Sequence, residues 1–358
     1  MSRSDAVWSE QGTTPDAIEA ALRRLLIEVH AENESFVPAR VLNMIAFVDR
    51  EWTGEIANRL RGVGRYHASR LVVLAYEPGR ERLDARVMIA ADDEPAPGEL
   101  ALLRETVVVE LGDRHLDDLL TIADPLVVTD LPTLLWSPHG HHEIVTELLA
   151  LSQAILLDSV DEPAASDALD RACELSEDLY VVDLAWLRTT PWRERLAASF
   201  DPPALRRELQ TITGVTIRHH PASTVAAMLL AGWMASRLGW EASPLLAEGE
   251  ALIGEAHAGR SSVARQDVAL RLEAAPELQI RGLEGLTLNT ASGRELQLGR
   301  GPGGLRARTR NPRGEERTWT IPGASRGETG VLGEGIRQAL LRDPTYVPAL
   351  RAARAMIS

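Results

Sequence analysis

The chain has 358 residues, 45% hydrophobic and 25% charged, a globular balance long enough for one large or two medium domains. A net charge of −14 sets its average surface against phosphate backbones and anionic lipid. All 38 basic residues are arginine, which excludes a Walker phosphate loop, a Schiff base, a lysine base and a kinase of the usual type, and the single cysteine, Cys173, excludes an intrachain disulfide and a cysteine zinc cluster.

Met1 to Glu10 is polar and lacks an apolar stretch, so no secretory signal is expected. Residues 13 to 34 open with Thr14 as a cap and Pro15 at the first helical position. Ile18, Leu22, Leu25, Leu26 and Val29 follow as an apolar stripe at helical spacing. Strand-like and helix-like segments then alternate. Arg40 to Val48 and Leu71 to Tyr76 read as strands, the latter with the unbroken apolar run of a buried central position. Leu83 to Ala90, Thr106 to Leu111, Leu134 to Trp136, Ala154 to Leu157, Tyr180 to Leu184 and Val215 to His219 read as further strands. Helices are expected at Thr53 to Val63, His115 to Ala123, Glu143 to Ser152, Ala165 to Glu177, between Trp192 and Leu209, and at Ser223 to Leu238. The most apolar window, Ala226 to Ala235, falls far short of the roughly 20 residues of a membrane span.

Near residue 260 the pattern changes to period-two alternation, as in Gln266 to Leu272, with turns at Ser292-Gly293, Gly303-Gly304 and Arg313-Gly314. Two helices close the chain. The expected fold is therefore α/β: a mostly parallel Rossmann-like sheet with flanking helices, then a smaller antiparallel-sheet α+β region. The expected divisions are an N-terminal helical segment (1–35), an α/β domain (36–259, with a second boundary possible near 160) and a C-terminal sheet with two helices (260–358). A soluble cytoplasmic protein is expected, with neither nucleic acid nor membrane as partner.

Four groups of residues invite a chemical reading. His139, His141, His142 and Glu143 are zinc-compatible types, but they are near-consecutive loop residues without an HExxH helix, so they read as exposed histidines before a helix and no metal is expected. Gly299 to Gly304 lies between two alternating strands and reads as a hairpin, not a dinucleotide turn, which needs a helix N-terminus. His67, Ser69 and Arg70, with Arg59, Arg61 and Arg65 before them, form a basic group that suits an anionic partner or a capped helix end. In Asp183 to Glu194, Trp186, Arg188, Trp192 and Arg193 follow a strand end, where ligands bind in open α/β sheets and where Trp and Arg serve as interface anchors. The same tryptophans could equally fill a core.

Tyr66 to Tyr76 (YHASRLVVLAY), Asp130 to Pro138 (DLPTLLWSP), Asp183 to Glu194 (DLAWLRTTPWRE) and Leu229 to Trp240 (LLAGWMASRLGW) follow in the order of a known family. Through them the chain resembles the glucose-6-phosphate dehydrogenase assembly protein OpcA family. One departure is His67-Ala68-Ser69-Arg70, where the family often has proline at the second position. The resemblance implies a non-catalytic, cofactor-free partner of glucose-6-phosphate dehydrogenase that promotes its active oligomer. Trp186, Arg188, Trp192 and Arg193, then His67, Ser69 and Arg70, are the expected functional surface. The competing expectation is a sugar-phosphate or nucleotide site at the strand ends near Arg188.

Overall fold

The computed structural model of the chain describes residues 6–32, 36–37, 40–63, 69–91, 101–258, 267–322 and 327–357. The chain divides into two units: Met1–Leu157 with Leu179–Val182 and Leu332–Leu341, and Asp158–Asp178 with Asp183–Val331 and Arg342–Ser358.

The first unit is built on nine strands: β1 (Ala6–Glu10), β2 (Phe36–Val37), β3 (Leu42–Asp49), β4 (Ser69–Tyr76), β5 (Asp84–Ala91), β6 (Ala101–Leu111), β7 (Thr133–Trp136), β8 (Ala154–Leu157) and β9 (Tyr180–Asp183). They run in the order β1-β5-β6-β4-β3-β7-β8-β9, with β2 beside β6. The pairs β6–β4, β4–β3, β3–β7 and β7–β8 are parallel. Helices α1 (Pro15–Glu32), α2 (Thr53–Val63), α3 (Leu119–Ala123) and α4 (His142–Val145) belong to this unit. Thr14 Oγ1 accepts from the Ala17 amide, so α1 starts as its capping residue dictates.

Leu42 to Val48 of β3 are all buried, as a strand covered on both faces requires. Asn43 is the polar exception, and it is fully used. Its amide donates to Val128 O at 2.9 Å and to Thr133 Oγ1 at 3.2 Å, while its Oδ1 accepts from the Val128 amide. This ties β3 to the turn that leads into β7. From β3 the chain proceeds to β4 and β6 on one side, then crosses back to β7 on the other, so the strand order reverses at β3–β7.

The second unit carries β10 (Ile212–His219), β11 (Trp240–Ala242), β12 (Leu246–Glu248), β13 (Ala251–Ala258), β14 (Asp267–Ala274), β15 (Leu283–Thr290), β16 (Glu295–Gly301), β17 (Gly304–Arg310) and β18 (Glu316–Pro322). Their order is β11-β13-β14-β10-β15-β16-β17-β18, with β12 beside β13. Only β10–β14 is parallel. The helices are α5 (Ala165–Asp178), α6 (Leu184–Arg188), α7 (Thr190–Ser199), α8 (Pro203–Arg206), α9 (Thr224–Leu238), α10 (Gly327–Leu341, its last ten residues grouped with the first unit) and α11 (Tyr346–Arg354). Helix α9 is apolar almost all round, packs on β10, β14 and α11, and stops at Gly239, whose φ of 68° suits glycine.

The mixed α/β class, a mostly parallel sheet followed by a mostly antiparallel one, is as the periodicities indicate. Three features differ. The polar start of the chain contributes β1, and β5 is antiparallel to both β1 and β6. Residues 240–258, without a strong apolar run, form β11, β12 and β13 because register with neighbouring strands outweighs weak local propensity. The second sheet also has nine strands and is not the smaller one.

Candidate functional site

The C-terminal ends of β3, β4 and β7 meet at the reversal point, the position where open α/β sheets place their ligand crevice. Asp49 ends β3, Tyr76 ends β4, and the turn Ser137 to His141 leaves β7. That turn bends back over the sheet: Gly140 and His141 both have positive φ, at 88° and 58°, and Ser137 Oγ donates to Gly140 O. His141 Nε2 consequently reaches Asp49 Oδ1 at 2.9 Å. Its ring meets Phe47 edge-on at 5.2 Å and Tyr76 at 5.9 Å. His139 lies over Trp52, with ring centroids 5.8 Å apart, and burial holds its imidazole below the ordinary value while Asp49 opposes the shift.

Tyr76 donates to Asp113 Oδ1 at 2.5 Å, and the other carboxylate oxygen accepts from the Gly79 amide. The Asp113 hydrogen bond, helped by burial, pushes the Tyr76 phenol up to about 12. It therefore stays protonated throughout the physiological range and acts here as a fixed donor.

A dinucleotide at such a crevice needs a glycine-rich turn, so that amides at the following helix N-terminus can approach the pyrophosphate. Here the turn is Asp49-Arg50-Glu51-Trp52-Thr53-Gly54-Glu55, three carboxylates against one guanidinium. Arg50 is already shared between Glu110 and Glu77. Two part-buried imidazoles and the half-exposed Trp52 ring border the space above. These residues do not fit a pyrophosphate.

The crevice cluster was not foreseen from the sequence. His139 and His141, expected to be exposed, have side chains only 22% and 18% exposed. The available signal was Asp49 itself, an acid directly after an apolar strand. His139 Nδ1 stands 4.0 Å from Asp49 Oδ2, and among the described residues no three His, Cys, Asp or Glu side chains gather as metal ligands.

The expected site residues fall into separate environments. His67 lies outside the described residues, and Ser69 is described only as the first residue of β4. Arg70 is 8% exposed and donates through Nε to Glu105 Oε2 at 2.8 Å and through Nη1 to Leu126 O. Glu105, 1% exposed, also accepts from Arg40 Nε at 2.5 Å, which makes a buried Arg–Glu–Arg cluster. Arg59 is elsewhere, its guanidinium 5.3 Å from the Trp136 ring centroid.

In the second unit, Asp183 ends β9 and caps α6. Oδ1 accepts from the amides of Ala185 and Ser159, and Oδ2 from Ser159 Oγ and Tyr346 Oη. Burial pushes its carboxyl up to about 6 against the opposing Ser159 hydrogen bonds. Trp186, 2% exposed, donates Nε1 to Asp343 Oδ2 at 2.9 Å. The Arg193 guanidinium lies 3.5 Å from the Trp186 ring centroid and bonds to Thr189 and Thr190. Burial pulls Arg193 down to about 10, with Asp343 opposing. Trp192 is 4% exposed, and Arg188 forms a two-pronged pair with Asp158, both contacts 2.7 Å. Trp186 and Arg193 are thus brought together, whereas Arg188 has its own partner.

Residues 61–174 match the family model of the glucose-6-phosphate dehydrogenase subunit N-terminal domain, and residues 179–350 that of the subunit's C-terminal domain. The putative OxPP cycle protein OpcA of Synechococcus elongatus is 27% identical over 150 residues, which is 40% of this chain and 34% of that protein. Its counterpart from Synechocystis is 31% identical over 119 residues, 32% of this chain and 25% of that protein. The match thus spans about a third and a quarter of those relatives' lengths. An oxidoreductase from Sinorhizobium meliloti superposes with a TM-score of 0.50 at 12% identity, covering 89% of this chain and 97% of that one. That likeness concerns fold alone.

Proposed function

Because the chain belongs to the OpcA family of glucose-6-phosphate dehydrogenase subunits, we propose that it is a non-catalytic partner of that enzyme, an assembly factor and allosteric activator in the oxidative pentose phosphate pathway. The observation that supports the non-catalytic part is the chemistry of the β3–β7 crevice. The strand order reverses there, but Asp49, His139, His141 and Trp52 line it with acid, imidazole and indole in place of the amides and positive charge that a dinucleotide needs. A crevice of that chemistry favours binding over cofactor chemistry as the use of the scaffold.

Activation then works by differential affinity: the chain binds the active form of the dehydrogenase more tightly and raises its population. A shift from 1:99 to 99:1 takes about 5.5 kcal/mol, within reach of an interface of roughly 1,600 Å². Trp186, Trp192 and Arg193 support this role from inside the second unit, and Arg70 from inside the first, by fixing the surfaces above them. A sugar phosphate beside Arg188 would have to displace Asp158 from a two-pronged pair, so the ligand-site reading is the weaker one.

Mixing the purified chain with the same organism's dehydrogenase on a sizing column with light scattering tests the partnership. One co-eluting species is expected, and two unperturbed peaks would contradict it. Titration with NAD or NADP should leave tryptophan fluorescence unchanged. Saturable quenching would contradict a crevice unfit for a dinucleotide.

A further inference from the structure

We propose that the open face of the second sheet docks a second copy of this chain, face to face about a two-fold axis. One face of this sheet is apolar and buried. The other is solvent-facing: along β14, Asp267, Ala269 and Arg271 are exposed while Val268, Leu270 and Leu272 are buried, and β17 alternates likewise.

Strand register orders this outer face into rows that cross the sheet. One row runs Ala251, Glu273, Arg218, Gly285, Gly299, Arg306. The next runs Ile253, Arg271, Thr216, Thr287, Gln297, Arg308, and a third runs Glu255, Ala269, Gly214, Asn289, Glu295, Arg310, with the same pairings. The middle of the face, on β10, β15 and β16, is therefore low and mostly uncharged. Glycines at Gly285 and Gly299 weaken a strand unless something needs close approach, and their own surroundings do not demand them. A Cβ there would come no nearer than 3.5 Å and 3.9 Å to any atom.

The two flanks carry opposite charge. On the β17 side stand Arg306, Arg308 and Arg310 beside Glu295 and Glu316; Arg308 is paired with Glu316 and Arg310 with Glu295, whereas the Arg306 side chain has no hydrogen bond or ion pair among the described residues. On the β12–β14 side stand Glu248, Glu255, Asp267 and Glu273 beside Arg271; Asp267 is paired with His257 and Glu273 lies near Arg218 and Arg271, whereas the side chains of Glu248 and Glu255 have no such partner among the described residues. Leu246, on the same side, is 66% exposed. A two-fold axis parallel to the strands through β10–β15 superposes each flank on its opposite. Arg310 then meets Glu255 of the second copy, and Arg306 meets its Glu248 and Glu273. Such an isologous contact gives Arg306, Glu248 and Glu255 the partners they lack within the described chain, while Arg310 and Glu273 add a second to those they have.

Area is sufficient. Eight strands about 4.8 Å apart and seven residues long at about 3.3 Å each give roughly 900 Å² per copy, about 1,800 Å² in total, within the roughly 1,200–2,000 Å² of stable interfaces.

Sedimentation velocity of the full chain, without dehydrogenase, tests the proposal. A concentration-dependent dimer is expected. Gly299→Tyr should abolish it while leaving the circular dichroism spectrum and melting temperature unchanged, because in the monomer a Cβ there meets no atom nearer than 3.9 Å and the position faces solvent. Arg310→Glu and Glu255→Arg should each weaken the dimer, and the double variant should restore it. A wild-type chain that stays monomeric at the highest attainable concentration would overturn the proposal. So would a dimer indifferent to Gly299→Tyr, or one in which the double variant is weaker than either single.

Discussion

Glu105 is the most consequential single carboxylate of the first unit, because two guanidinia, Arg40 and Arg70, depend on it away from water. Replacing Glu105 by alanine leaves a buried charge without its partner, and the expected loss is about 3–5 kcal/mol in urea unfolding. A loss below 1 kcal/mol would mean that the arginines re-solvate freely. Asp183 makes the complementary case. Its carboxyl is raised by burial, so the folded chain holds that proton more tightly than the unfolded one. The resulting stability is fully present below its ordinary 3.8 and is lost as pH rises through about 6. Asp183→Asn keeps a neutral acceptor in place. Across that window the urea midpoint of the wild type should therefore fall relative to that of the variant; parallel profiles would show that Asp183 is not the group responsible.

Among the elements, α9 shows how a residue choice sets a packing distance. At Gly232 a Cβ would stand 2.3 Å from Ala349 O and 2.7 Å from Ala353 N of α11, backbone atoms that can yield only if the helix moves. Gly232→Ala should cost about 1–3 kcal/mol by forcing α9 and α11 apart, readable as a lower melting temperature with an unchanged helical signal. This helix was plain in the sequence, from an apolar run ended by glycine, as were α1, β3, β4 and the alternating strands β14 to β17. What stayed hidden depended on partners distant in the chain. β1 is short, only Ala6, Val7 and Trp8 before two polar residues, and forms through its register with β5. The His139–His141 turn looked like an exposed loop because nothing local records that its backbone folds back onto Asp49, 92 residues away. Trp186, Arg188, Trp192 and Arg193 were legible as a group worth noticing, but Asp343, the acidic partner of Trp186 and Arg193, lies 157 residues beyond Trp186.

At the scale of the whole molecule, the chain combines a mostly parallel sheet whose strand order reverses at β3–β7, an acid and two imidazoles at that reversal, and a mostly antiparallel second sheet. Among the described residues no helix is long and apolar enough to cross a membrane. In the proposed function this scaffold binds, and the dehydrogenase supplies the chemistry. The most direct test of that function is the initial rate of the same organism's glucose-6-phosphate dehydrogenase, measured over a range of glucose 6-phosphate with and without an equimolar amount of this chain. A lower half-saturating substrate concentration or a higher turnover is expected when the chain is present. Superimposable curves, at concentrations where a complex would be formed, would contradict it.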